Sequence, residues 1–419
     1  MIALAILVIV SLLALAAALV ILPIVVVAAG VGALARAWSG ATADTSVLAR
    51  EQIESSAPLV VAVHGTWAPV VKGKPHWARA GTPLHAALTD AIQSACGTAP
   101  IWHTFTWSGD NSTTGRLAAI EALTTIAGDA TMHDPKRLVV IVGHSHGGNI
   151  AAVTAQRLTD RPRLRVVTLA TPFLTVLARP DTGPLGDLLT LVPGVALSLA
   201  AFLVARVAGE WPWSWAGVLL AGALLASGVL AVWLRRRREA TLAALPAATL
   251  DPVGLDALRP RTLIVSRIGD EADAGLKLLG FATNWVVRTV GRAGLVEETA
   301  SAVARAQAGG TAIDRRTVWQ MATRSWHGQQ VAVLEMAALL SGLFLLSLLQ
   351  LLAGTSSTLA SVALNVGSGE TPPGRWHHLQ STWAGEADAS LLSHSQIYDD
   401  PNVIREVAAW VAETASGGR

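Results

Sequence analysis

The chain contains a single cysteine, Cys96, so no intramolecular disulfide and no cysteine-based metal site can be built from it. Near a predicted helix end, Cys96 reads as a small packed residue, the usual fate of a free thiol. Charge is scarce too. Only 14% of the 419 residues are charged and 52% are hydrophobic, whereas an ordinary soluble domain carries about 25% charged residues. Part of the chain is therefore expected to face something other than water. The formal net charge of +2 is too small to point to nucleic acid. There is no internal repeat and no long low-complexity linker. Length fits one domain of roughly 250 residues plus membrane segments.

Three apolar clusters account for the missing charge. Residues 1–34 carry no charged side chain, and at about 1.5 Å per residue they exceed a hydrocarbon core of roughly 30 Å. Pro23 is tolerable in such a helix. A cleaved signal peptide fits poorly, because no Lys or Arg precedes the run and the run is too long. The second cluster comprises residues 188–205 and 213–234, joined by a short link crowded with Trp211, Trp213 and Trp215 and followed by Arg235, Arg236, Arg237 and Arg238. Such tryptophans suit the headgroup level, and four arginines mark a cytoplasmic boundary by the positive-inside rule. The third cluster, residues 336–354, has spanning length but is flanked or interrupted by Glu335 and Gln350. These features predict a multi-pass protein of a bacterial-type inner membrane, with its N-terminus outside.

Between the first two clusters the pattern changes. Residues 59–64, 101–107, 137–143 and 164–170 read as buried strands. Residues 83–93, 116–126 and 149–158 read as helices, the first starting at Thr82 as N-cap with Pro83 at N1. This alternation predicts an α/β fold: a doubly wound, mostly parallel sheet with helices on both faces. The strand 138–142 (LVVIV) runs into Gly143, His144, Ser145, His146 and Gly147, and a helix follows. G-x-S-x-G at a strand-to-helix turn lifts a serine hydroxyl above the sheet edge at a helix N-terminus.

On these residues the chain resembles the α/β-hydrolase family, in particular its lipase and esterase branches. The segment Val61, Ala62, Val63, His64, Gly65, Thr66, Trp67 resembles the strand and His-Gly loop that supply half of the family's oxyanion hole. The resemblance implies that the backbone N–H groups of Thr66 and His146 hold the developing oxyanion. It also implies that His64, Gly65, Trp67, Trp107 and His144 line the site, Trp107 within a segment (Phe105 to Asn111) similar to one found here in several bacterial hydrolases. Ser145 is the implied nucleophile.

The family order is Ser, then acid, then His. Residues 262–266 form another apolar strand, and Asp270 follows it; Glu271 is its near rival, Asp181 a distant one, and Asp270 could instead cap a helix. For the base, His394 precedes a terminal amphipathic helix at about 403–414, where the family keeps its histidine. His377 and His378 are rivals, because no convincing last strand is legible before His394. His144 and His146 are too local to the turn to serve as the base.

The expected chemistry is ester cleavage through an acyl-serine, with no metal and no cofactor; no Walker A loop, dinucleotide fingerprint or H-E-x-x-H is present. A thioesterase or acyltransferase would use the same serine, and a non-catalytic membrane interaction protein could keep the fold. The expected partners are membrane lipids and an acyl-ester substrate. The expected organisation is an anchor (1–35), a hydrolase core in pieces (57–184, 259–330 and 367–419), a hairpin at the lid position (185–238) and a membrane-associated helix (331–366). A hairpin there would turn the catalytic mouth toward the bilayer. Amphipathic helices are expected over 274–308. Ser145 and His394 must share one side of the membrane, so a lone crossing at 336–354 would separate them. A non-crossing helix, or a return arm at 355–366, avoids this, and otherwise the triad assignment fails.

Overall fold

A computed structural model gives the fold. It describes residues 48–66, 76–109, 112–178, 239–267, 364–381 and 393–416, with isolated positions between 222 and 236 and Lys277. The chain divides into two compact units. One comprises Met1–Arg36, Leu177–Arg238 and Leu278–Asn365, and so contains all three apolar clusters. The other comprises Ala37–Val176, Glu239–Lys277 and Val366–Arg419. Among the described residues, no helix is long and apolar enough to cross a membrane. The predicted spans at 1–34, 188–205 and 336–354 and the helices at 274–308 lie outside the described residues, apart from Lys277; of the span at 213–234 only isolated positions are described.

The second unit carries the sheet. In chain order its elements are α1 (Arg50–Glu54), β1 (Leu59–Val63), α2 (Pro83–Cys96), β2 (Ile101–Phe105), α3 (Thr113–His133), β3 (Val139–His144), α4 (His146–Arg157) and β4 (Leu164–Leu169). Then follow β5 (Phe173–Ala178), α5 (Leu255–Leu258), β6 (Thr262–Arg267), β7 (Leu364–Gly369), β8 (His377–Ser381) and α6 (Pro401–Ala415). Six strands pair in the order β2-β1-β3-β4-β6-β8, every pair parallel. β5 and β7 form a separate two-stranded sheet.

The central strands are buried along almost their whole length and mostly apolar because both faces are covered. Side chains alternate between faces. Val61, Val139, Ile141, Val166 and Ile264 pack with Ile120 and Leu123 of α3 and Ile150 of α4. Their neighbours Val60, Ala62, Val140, Val167 and Val265 pack with Leu84 and Leu88 of α2 and Val403 and Val407 of α6. This is the doubly wound arrangement that the sequence pattern predicts.

Two details depart from that pattern. Thr82 is the N-cap of α2, but its hydroxyl makes no cap bond; it donates back to the carbonyls of Trp77 and Arg79, both at 2.8 Å. A last strand also exists. β8 (HHLQS) is an edge strand with His377, His378 and Gln380 exposed, so it lacks the apolar alternation that marks a half-buried strand. Cys96 ends α2 and is half-buried. At the same end of the sheet, where the parallel strands begin, the buried Arg137 donates to the carbonyls of Ala57 (2.7 Å), Gln52 (2.8 Å) and Ile53 (3.2 Å), tying the end of α1 to the start of β3.

Candidate active site

Ser145 stands between β3, the strand flanked by β1 and β4, and the first turn of α4. Its backbone has φ 55° and ψ −132°, a conformation L-residues rarely adopt and one that costs about 1–3 kcal/mol. The surroundings enforce it. The Ser145 N–H donates to the Leu169 carbonyl at 2.9 Å, and the Ser145 carbonyl accepts from Gly148 N–H at 2.9 Å. Two glycines let neighbouring backbone close in. A methyl group at Gly65 would lie 2.6 Å from the Ser145 Cβ, and one at Gly147 would lie 2.5 Å from the Val63 carbonyl oxygen. The loop after β1 and the first turn of α4 therefore press together around the serine.

His64 organises that loop. Its Nδ1 lies 2.8 Å from the Gly65 carbonyl oxygen, and its Nε2 accepts from the Trp107 N–H at 3.3 Å. A carbonyl can only accept, so Nδ1 carries the proton and the ring is neutral. Burial pushes its pKa below the ordinary 6.5, with the Gly65 carbonyl offsetting part of the effect. The Trp107 indole N–H donates to the His64 carbonyl at 2.8 Å, and the two rings stack at 5.6 Å. With both nitrogens engaged, His64 fixes geometry rather than moving protons. Gly65 C=O and Thr66 N–H share one planar trans peptide and point in opposite directions, so holding the carbonyl aims the Thr66 N–H.

His394 belongs to a 3-10 helix, Ser393–Asp399, just before α6. Its ring lies 4.8 Å from that of His144, and its carbonyl oxygen lies 3.2 Å from His144 Nε2. The buried His146 lies within electrostatic range of it. The His146 pKa is driven well below 6.5 by burial, then by Arg116, then by His394. Its Nδ1 lies 3.4 Å from the Asn149 amide nitrogen, which also donates to the Pro172 carbonyl at 2.9 Å. His146 is thus neutral, as a buried group beside a cation must be. Arg116, on the first turn of α3, is buried and pulled down to about 10 by loss of water, still cationic at neutral pH.

The fold thus brings His394, from more than 200 residues away, against His144, the residue before Ser145, and within electrostatic range of His146, the residue after it. Its rivals lie elsewhere: His378 Nε2 is 2.8 Å from the Ser266 hydroxyl, and His377 lies on the exposed strand against Trp410. Asp270, Glu271, Asp181 and Trp67 lie outside the described residues. Sequence reasoning missed Arg116, whose burial no local pattern signals. It also missed Asp400, the N-cap of α6, whose carboxylate accepts from the Asn402 N–H at 2.9 Å and from the Ser381 hydroxyl at 2.5 Å. The Asp-Pro start of that helix could have revealed it.

A family model described as the alpha/beta hydrolase fold matches residues 113–191, from α3 through the Ser145 turn to beyond β5. The match supports an α/β hydrolase. The parallel six-stranded sheet is consistent with that fold, and the matched stretch includes Ser145 but neither the Thr66 loop nor His394. No curated protein and no solved structure matches the chain.

Proposed function

We propose that the chain is a membrane-bound serine hydrolase that cleaves carboxylic esters, with lipid or other acyl substrates at the bilayer surface. The observation that carries this reading is the forced backbone of Ser145, with His394 held against its chain neighbour His144. Strain of this kind persists only where surrounding structure over-determines it, and it concentrates at functional sites.

In this mechanism His394 takes the Ser145 hydroxyl proton as Oγ bonds to the ester carbonyl carbon. Thr66 and His146 N–H groups receive the oxyanion, and helix α4 adds its N-terminal dipole. The C–O bond then breaks, the leaving alcohol takes the proton from His394, and water repeats the sequence on the acyl-serine. Asp270 serves as the acid that orients His394.

The membrane assignment rests on the three apolar clusters and on one described surface. Leu225, Val229, Val232 and Trp233 are exposed at 73%, 71%, 54% and 44%, a helically spaced apolar face running directly into Arg235 and Arg236. Such a patch beside a basic collar suits acyl chains below anionic headgroups. The hydrolase unit is then cytoplasmic. Each excursion between its pieces must return to the side it left, so residues 336–354 do not make a lone crossing.

The test compares full-length protein, in detergent and in vesicles, on short soluble esters and on vesicle-held acyl lipids. Faster turnover of vesicle-held ester, abolished by Ser145→Ala, is the expected result. Preference for short soluble esters would contradict the lipid assignment, and acyl transfer to an added alcohol or thiol in preference to water would favour an acyltransferase.

A further inference from the structure

His144 makes a contact that the mechanism above does not use. Its Nε2 lies 3.2 Å from the backbone carbonyl oxygen of His394, 250 residues away. That carbonyl can only accept, so His144 donates from Nε2. The ring also meets Tyr398 edge-on at 5.4 Å, and Tyr398 in turn stacks on Trp77 at 6.1 Å. The far end of the 3-10 helix Ser393–Asp399 is secured by Ile397 and Tyr398 in the core and by the buried Asp400 that follows. His394 lies near its other end, where the His144 donor reaches it. His144 itself is the last residue of β3 and the chain neighbour of Ser145.

We propose that His144 is a positioning residue that sets the distance between nucleophile and base. One peptide bond links it to Ser145 and one hydrogen bond links it to His394, so the two halves of the reacting pair share a common mount. The inference rests on Ser145 and His394 being nucleophile and base. It is distinct from a proton-transfer role: His144 spends its Nε2 proton on a carbonyl, and its task is geometric. A misplacement of about 1 Å near reacting atoms costs on the order of 10²-fold in rate, so release of the His394 backbone falls on kcat.

The experiment uses the full chain and a soluble chromogenic ester. His144→Phe keeps a ring against Tyr398 and removes the donor; His144→Gln restores a donor without the ring. Each is measured for kcat, KM, pH profile, fluorophosphonate inactivation rate and melting temperature. The expected result is a kcat for His144→Phe about 10- to 100-fold below wild type with KM little changed, and recovery of most of that loss in His144→Gln. The acid limb of the pH profile should persist in both, because His394 remains the base. Wild-type kcat in His144→Phe, or no recovery in His144→Gln, overturns the proposal; so does loss of the acid limb, which would make His144 the base. If His144→Phe does not fold, the same comparison is read between His144→Leu and His144→Gln. A wild-type protein that neither turns over ester nor reacts with fluorophosphonate fails at the hydrolase reading itself and takes this inference with it.

Discussion

The Nδ1 of His64 lies 2.8 Å from the carbonyl oxygen of Gly65, and that bond fixes the peptide whose other end is the Thr66 N–H. His64→Phe keeps the stack on Trp107 but leaves the Gly65 carbonyl free to turn. Loss of one oxyanion donor typically costs roughly 10²–10³ in rate. The variant is expected to lose kcat on that order, with KM changed far less. Steady-state kinetics on a soluble ester check it, and a loss confined to KM would refute the role.

Ser145 pays for its position with backbone strain, so relieving the strain should stabilise the fold. Ser145 is the N-cap of α4, where glycine is already better tolerated than alanine, and at φ 55° only glycine is unstrained as well. Ser145→Gly is expected to be more stable than Ser145→Ala by about 1–2 kcal/mol, both being inactive. Urea unfolding of the two variants measures the difference. Equal stability would mean that the turn is not strained in solution.

Two buried histidines make stability depend on pH. His64 and His146 both have folded pKa values below the ordinary 6.5, chiefly from burial. Below that value the unfolded chain binds protons that the folded protein refuses. Their contribution to stability is therefore complete above about pH 6.5 and shrinks as pH falls from there toward the folded values. The melting temperature should drop between pH 7 and pH 5, and the drop should be smaller in His146→Asn. A flat profile for the wild type would contradict the neutral assignment.

Arg137 holds three carbonyls at the end of the sheet away from Ser145. Arg137→Met keeps much of the volume and strands those acceptors in the interior. The expected loss is about 2–4 kcal/mol, with kcat unchanged in the folded fraction. A calorimetric or urea measurement that found less than about 0.5 kcal/mol would show that water takes over the arginine's bonds.

Topology can be tested through the single native cysteine. In a Cys96→Ser background, cysteines placed at residues 335 and 367 should react with a membrane-impermeant maleimide from the same side. Labelling from opposite sides would separate Ser145 from His394 and end the triad assignment.

How much of this was legible in the sequence depends on how local each signal is. β1, β3, β4 and β6 are each built round a short run of branched apolar residues because both faces are covered, and they declare themselves within five or six positions. Ser145 declares itself in the same way, through glycines that only a tight turn between strand and helix requires. β8 does not, because an edge strand with polar residues on it differs little from a loop; without β8, His394 had no visible strand before it. The roles of His144 and His64 were invisible for another reason. Each depends on a partner placed by the fold, His394 for one and Trp107 for the other, and on which ring nitrogen meets a carbonyl. Such information resides in tertiary geometry and leaves no periodicity behind.

The central claim is an activated serine at Ser145, and labelling of native membranes with a fluorophosphonate probe tests it most directly. Wild-type protein should be labelled, and Ser145→Ala, folded to the same extent, should not. Unlabelled wild type, with and without added lipid, or labelling that survives in Ser145→Ala, would contradict the account.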